Sequence, residues 1–303
     1  MIRIDKVTRG RWGNKILHYN TLIQLSKSFN IEPSCGIWET DNEDWWNANY
    51  YFENICQYKK SNNPQKVLDW KDILSSNFDL FKIDNNYDYI IEDYCMHNVF
   101  YKITKADPRE FFKLKEQYKV NLNPEYLNIG LHFRGGDKHV SNPREIHDPE
   151  YYINSIKSIE LEFNDKKIKY YVCTDDKNFN TYLITTNYLI DNDLDFEEGS
   201  DSNKNNTIQD SDKSFIYDFS TLMECDILIN SSSIFCICAG ILGKKNKKII
   251  HSKKWIDKNL NHEPWHPGRI EKERQREFQL SCDNFWVDLY NGGNEYYKLW
   301  KTI

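Results

Sequence analysis

Four apolar runs stand out in the second half of the chain, at residues 127–133, 168–173, 226–229 and 248–251. Each has the length of a buried strand, and the stretches between them can hold a helix, as in "DPEYYINSIKSIELEF". Strands alternating with helices predict an α/β fold with a parallel sheet. The first half is less regular. Residues 2–7 predict a strand and 9–13 a turn, and Ile16, Tyr19, Leu22, Ile23 and Phe29 recur mostly by threes and fours, as along one helix face. "YDYIIEDYCMHNVF" predicts a strand and loop, whereas the aromatic, acidic "WETDNEDWWNANYYF" has no clear period. "DPREFFKLKEQY" opens a predicted helix with Asp107 as N-cap and Pro108 at its first position. "DNDLDFEEGSDSNKNNTIQDSDK" is loop-like, with one short strand at its Leu194–Phe196 end. Pro124 marks the expected boundary between an N-terminal α/β domain, 1–124, and a C-terminal one, 125–303, which closes on a helical segment.

Composition narrows the class. With 9 Trp, 20 Tyr and 16 Phe in 303 residues, a sizeable core is available despite abundant Asn, Lys and Asp. A formal net charge of −6 and no basic face argue against nucleic acid as a partner. The lysine run at Lys244–Lys248 is expected to be solvated loop or helix-end charge. The 8 cysteines form no C-x-x-C pair, and Cys173, Cys236 and Cys238 lie in apolar runs. Reduced, buried thiols in a reducing compartment are expected. The N-terminus lacks a signal peptide's apolar segment, and "IFCICAGIL" is too short to span a bilayer. A soluble, cytoplasmic protein follows as the expectation, at most peripheral to a membrane.

The candidate chemistry lies where the strands end. "IGLHF" runs into Arg134-Gly135-Gly136-Asp137, "KYYVC" into Thr174-Asp175-Asp176, and "DILI" into Asn230-Ser231-Ser232-Ser233. In a parallel sheet these ends share one edge, the edge at which ligands bind. Arg134 offers a planar fork for a phosphate, Gly135 and Gly136 permit close backbone approach, and the serines sit at a strand-to-helix junction suited to an anion. Together these features fit a diphosphate, although neither G-x-G-x-x-G nor G-x-x-x-x-G-K-[ST] occurs. Bland alternatives stay open at each place: a structural turn at 134–137, a helix cap at the serines, a core histidine at His132, and an N-cap at Asp218. The triplets Asp191-Asn192-Asp193 and Asp193-Leu194-Asp195 match a D-x-D metal pattern, but in an Asn/Asp-rich loop such matches arise by chance.

"GLHFRGGDK" resembles the H-x-R-R-x-D motif of GDP-fucose-dependent fucosyltransferases, notably the α-1,2-fucosyltransferases of glycosyltransferase family 11 and the related α-1,6 enzymes. "RGRWGNKILHYN" is similar to the family's N-terminal glycine loop, "EDYCMHNVF" to its G-Y-x-Q-S-x-x-Y-F segment, and "YYVCTDD" to its strand ending S-D-D. "CDILINSSS" resembles H-N-I-I-A-N-S-S, and "KKIIHSKKW" resembles K-x-V-I-x-P-x-x-W. The six stretches keep the family's order from about residue 9 to 255. Two departures stand out: Gly135 replaces the second arginine, and Ile234-Phe235-Cys236 replaces an aromatic run.

The resemblance implies a GT-B architecture, two Rossmann-like domains facing across a cleft with the acceptor on the N-terminal side. It implies inverting transfer of L-fucose from GDP-fucose to a hydroxyl of a glycan acceptor, most simply in α-1,2 linkage, with no essential metal or other cofactor. On it, Arg134 meets the β-phosphate; an inverting transfer also benefits from a general base at the acceptor hydroxyl, for which Asp137 is a candidate and Glu145 a weaker one. His132, Gly135, Gly136, Asp175, Asp218, Asn230, Ser231, Ser232 and Ser233 lie on the nucleotide side, and Gly10, Gly13 and Asn14 on the facing edge. A same-fold enzyme using another nucleotide sugar, or a non-catalytic glycan-binding relative, remains open.

Overall fold

A computed structural model describes residues 1–5, 12–37, 48–68, 83–91, 107–136, 146–199, 214–231, 233–244, 247–251 and 300–302. They fall into two compact units that divide between Lys115 and Glu116, with residues 300–302 in the second.

In the first unit β1 (Ile2–Ile4), β2 (Pro33–Cys35), β4 (Gln65–Leu68) and β5 (Asp88–Ile91) form a parallel sheet in the order β2-β1-β5-β4. Helix α1 (Trp12–Phe29) realises the predicted helix, and its Ile16, Tyr19 and Leu22 are buried. The short α2 (Ala48–Tyr51) leads into β3 (Phe52–Glu53), which pairs antiparallel with β6 (Lys113–Leu114). Aromatic rings bind these pieces: Trp12 stacks on Phe52 at 5.5 Å, and Phe112 meets Tyr19 and Phe52 edge-on. The helix expected from Asp107 is only a 3₁₀ turn, Pro108–Glu110. Asp107 does cap it, accepting from the Arg109 backbone N–H at 3.0 Å and from the Arg109 guanidinium. The chain then leaves helical geometry because Phe112 and Leu114 are buried while Lys113 between them is exposed, a period of two that suits the pairing with β3.

The second unit alternates strand and helix throughout. Its elements are β7 (Leu127–Phe133), α3 (Pro149–Glu162), β8 (Ile168–Thr174), α4 (Asn180–Asp191), β9 (Phe196–Glu198), α5 (Ser214–Glu224), β10 (Ile227–Ile229), α6 (Ile234–Leu242), β11 (Lys248–His251) and β12 (Trp300–Thr302). All six strands are parallel, in the order β9-β8-β7-β10-β11-β12. Numbered within the sheet this is 3-2-1-4-5-6, the doubly wound order, and it reverses between β7 and β10. Residues 300–302 add the strand β12 at one edge, and the helical segment expected near the C-terminus falls on residues outside those described.

Residues alternate along β7 as the pleat demands. Ile129, Leu131 and Phe133 join the cluster containing Tyr152, Ile156 and Tyr182 of α3 and α4. Gly130 faces the other way, where an added Cβ would stand 2.8 Å from Leu222 of α5 and 2.7 Å from Leu228. Glycine there lets the helix sit close on the sheet. Lys247, from the run expected to be solvated, is instead buried and donates to the Leu222 and Met223 carbonyls at 2.5 and 2.7 Å. It caps the C-terminal end of α5, where a cation also meets the helix dipole favourably. Burial nonetheless lowers its pKa to about 8.

Candidate functional site

At the reversal point the chain runs from β7 toward α3 and from β10 toward α6, and in doubly wound sheets the ligand crevice lies beyond the strand ends at this place. His132, the penultimate residue of β7, is buried on the α5–α6 side, its ring 5.6 Å from that of Phe235. Its Nδ1 lies 2.6 Å from the hydroxyl of Ser231, which follows β10. This hydrogen bond spans the two strands where their order reverses. Burial, and then the Arg134 charge, push the His132 pKa down to about 3, so the imidazole is neutral at physiological pH. Tyrosines of α3 hold the same strand ends from behind. Tyr152 donates to the His132 carbonyl at 3.0 Å, and the Tyr151 hydroxyl lies 3.0 Å from the Asn230 carbonyl and 2.8 Å from that of Ile250.

Ser233 occupies the N-cap position of α6, but its hydroxyl makes no capping hydrogen bond. Its N–H donates to the Ser231 carbonyl at 2.7 Å, and its own carbonyl accepts from Ile237. Helix capping by side chains therefore does not account for this serine.

On the other side of β7, Arg134 forms an ion pair with Asp175 at the end of β8. The same carboxylate accepts the Gly135 N–H at 2.8 Å. The glycines make this arrangement possible. A Cβ on Gly136 would stand 2.6 Å from Asp175 Oδ2, and one on Gly135 would stand 2.7 Å from the ring of Phe179. The space freed for close approach is thus taken by the protein's own groups. Position 135 is closed to a second arginine by Phe179.

Asp218 lies within α5 and not at its N-cap. It is buried, and an added Cβ on Gly199, directly after β9, would stand 2.3 Å from its Oδ1. The missing side chain at Gly199 admits this carboxylate to the same sheet edge.

The structure thus brings His132, Arg134, Gly135, Gly136, Asp175, Asp218, Asn230, Ser231 and Ser233 to the C-terminal edge of one sheet. Gly13 and Asn14 lie in the first turn of α1, in the other unit. Gly10, Asp137, Glu145 and Ser232 lie outside the described residues. Three contributors were not foreseen: Gly199, Phe179 and Phe235. Only their partners across the fold give them a role, and a linear reading holds no signal of that.

The acidic triplets lie elsewhere. Asp193 has a left-handed φ of 53° in the turn after α4, and Asp195 immediately precedes β9, at the opposite end of the strands from the crevice. Among the described residues no group of three His, Cys, Asp or Glu could hold a metal, and no helix is long and apolar enough to cross a membrane.

No family profile matches the chain, and no curated protein matches it in sequence. Among solved structures it is similar to a FUT1 mutant from Arabidopsis thaliana in complex with GDP, at 10% identity and a TM-score of 0.48, over 80% of this chain and 68% of that one. It is also similar to POFUT1 in complex with GDP-fucose, at 8% identity and a TM-score of 0.46, over 78% of this chain and 92% of that one.

Proposed function

We propose that the protein is a glycosyltransferase that moves L-fucose from GDP-fucose to a hydroxyl of a glycan acceptor with inversion. The observation that carries this reading is the His132–Ser231 hydrogen bond at the strand-order reversal, beside Arg134 and the start of α6. Nucleotides bind at such reversal points, with their phosphates on a helix N-terminus. The resemblance of "GLHFRGGDK" and the five other stretches to fucosyltransferase motifs supplies the sugar and the GT-B arrangement, in which residues 1–124 carry the acceptor.

As the glycosidic bond breaks, negative charge gathers on the leaving diphosphate. Donors whose contact strengthens with that charge accelerate the step. Arg134, oriented by Asp175, supplies the cation, while Ser231, Ser233 and the first N–H groups of α6 supply neutral donors. Neutral His132 adds no second charge and fixes the Ser231 hydroxyl. Asp137 is the proposed base for the acceptor hydroxyl, and the reaction is proposed to run without a metal.

A panel of nucleotide sugars in a thermal-shift assay tests the donor. A ligand at 100 times its Kd adds about 2.7 kcal/mol of stability. GDP and GDP-fucose should raise the melting temperature, and UDP-sugars should not. A shift with UDP-sugars alone rejects the fucose donor. GDP-fucose binding without transfer or release of GDP identifies a non-catalytic glycan-binding protein.

A further inference from the structure

The first unit holds a feature that nucleotide-sugar chemistry does not use. Cys35 ends β2 and is fully buried, and Cys56 lies half-buried in the extended segment beside it. Two contacts pin that segment along β2: the Cys35 N–H donates to the Gln57 carbonyl at 3.3 Å, and the Lys59 N–H donates to the Ser34 hydroxyl at 2.8 Å. Cys56 is thus the chain neighbour of the residue bonded to Cys35, and the Cys35 thiol reaches it in a side-chain hydrogen bond. The Cys56 N–H donates to the Tyr19 hydroxyl at 3.0 Å.

We propose that Cys35 and Cys56 form a hydroperoxide-sensitive dithiol, with Cys56 as the attacking thiol and Cys35 as the resolving one. The surroundings of Cys56 suit this role. A hydrogen bond from the Cys35 thiol holds its pKa below the ordinary thiol value against the opposing effect of burial, and Tyr19 and the Lys59 charge add to the lowering. The four buried thiols of the second unit, Cys173, Cys225, Cys236 and Cys238, are pushed the other way by burial.

The chemistry balances with a hydroperoxide as oxidant. The Cys56 thiolate attacks one peroxide oxygen, the O–O bond breaks, and the departing hydroxide or alkoxide takes up the proton that Cys56 released. Cys56 is left as a sulfenic acid. The Cys35 sulfur then attacks the Cys56 sulfur, the S–O bond breaks, and hydroxide leaves as water with the Cys35 proton. Two thiols are oxidised to one disulfide, and the peroxide is reduced.

Peptide mapping of the full chain tests this without nucleotide or acceptor, so the outcome is independent of the proposed transferase activity. In the reduced protein iodoacetamide should label Cys56 about tenfold or more faster than Cys173, Cys225, Cys236 and Cys238. After a stoichiometric hydrogen peroxide pulse, non-reducing digestion should yield one peptide pair joined through Cys35 and Cys56 and separated by dithiothreitol. In Cys35→Ser, oxidation should halt at a dimedone-reactive Cys56. The wild-type map alone decides the matter if that variant fails to fold. Recovery of both cysteines as free thiols while others oxidise, or a crosslink from Cys56 to Cys95 or Cys282, overturns the proposal.

Discussion

The Nδ1 of His132 and the hydroxyl of Ser231 stand 2.6 Å apart, joining the first and fourth strands of the second sheet where strand order reverses. Both groups are buried, so neither can turn to water if the other is removed. Ser231→Ala should therefore cost about 1–3 kcal/mol of stability, the penalty for stranding a buried polar group. It should also weaken GDP binding at a temperature where the variant is folded. Ser233→Ala removes no capping hydrogen bond and should cost less stability than Ser231→Ala. Urea denaturation and GDP titration of the two variants measure both effects. Equal stability losses would show that the His132–Ser231 bond has no special weight.

The same histidine carries a pH signature. Its pKa is about 3 in the folded protein against 6.5 for an ordinary histidine, so between those values the unfolded chain binds the extra proton. Stability from this group is complete above pH 6.5 and is lost progressively as pH falls toward 3. Between pH 6.5 and 5 the loss should approach about 2 kcal/mol, at about 1.4 kcal/mol per unit. His132→Gln should flatten that part of the pH–stability profile relative to wild type. Parallel profiles would show that His132 titrates normally.

Much of the second unit was legible because β7, β8 and β10 are largely buried on both faces and so read as continuous apolar runs. The edge strand Phe196–Glu198, only half-buried, left a weaker trace and lies slightly beyond the segment expected for it. Residues 107–118 misled because Asp107-Pro108 is a true helix start, whereas the alternating burial of Phe112, Lys113 and Leu114 depends on β3, far back in the chain. Lys247 was misjudged for a similar reason, since charge runs are usually solvated and the carbonyls that hold it belong to α5, with β10 and α6 lying between in the chain. Polar residues at strand ends could be picked out one by one. Their pairing could not, because His132 meets Ser231 and Arg134 meets Asp175 only through strand order.

Gly199 and Asp218 provide a steric test. Gly199→Ala would place a methyl group 2.3 Å from Asp218 Oδ1 and 2.8 Å from Cys173 Sγ. Overpacking of this kind costs about 1–3 kcal/mol, and it should displace the carboxylate from the strand-end edge. GDP affinity should fall with stability. In Gly130→Ala, which crowds Leu222 and Leu228 farther down the sheet, stability should fall while GDP affinity is retained in the folded protein. Matching affinities for both folded variants would exclude Asp218 from the nucleotide site.

The acidic triplets define a metal test. Asp193 and Asp195 lie at the N-terminal end of β9, away from the crevice. Fucosyl transfer should therefore persist in excess EDTA, and Asp193→Asn with Asp195→Asn should leave kcat/KM within about twofold of wild type, the effect of about 0.4 kcal/mol. Activity that vanishes with chelator and returns with Mn²⁺ would overturn the metal-independent mechanism.

The ion pair between Arg134 and Asp175 decides what the Arg-Gly-Gly segment is for. If Arg134 only closes a turn, an ammonium group can replace it with little loss, because lysine keeps the charge that Asp175 needs. If it also grips the leaving diphosphate, lysine loses the planar fork that can meet a carboxylate and a phosphate together. Arg134→Lys should then remain folded but lose about 2–5 kcal/mol of transition-state binding, or roughly 30- to several thousand-fold in rate. The loss should fall mainly on kcat, since the charge it meets grows as the bond breaks. Asp175→Asn keeps the acceptor oxygen for Gly135 but releases the arginine from its ionic partner. It should raise KM or lower kcat by less than Arg134→Lys does, because the cation survives and only its orientation is relaxed. Steady-state kinetics of both variants discriminate. An Arg134→Lys enzyme that keeps more than about a third of wild-type kcat/KM has lost under about 1 kcal/mol. The ion pair would then be purely structural, and the cation at the leaving group would have to come from another residue.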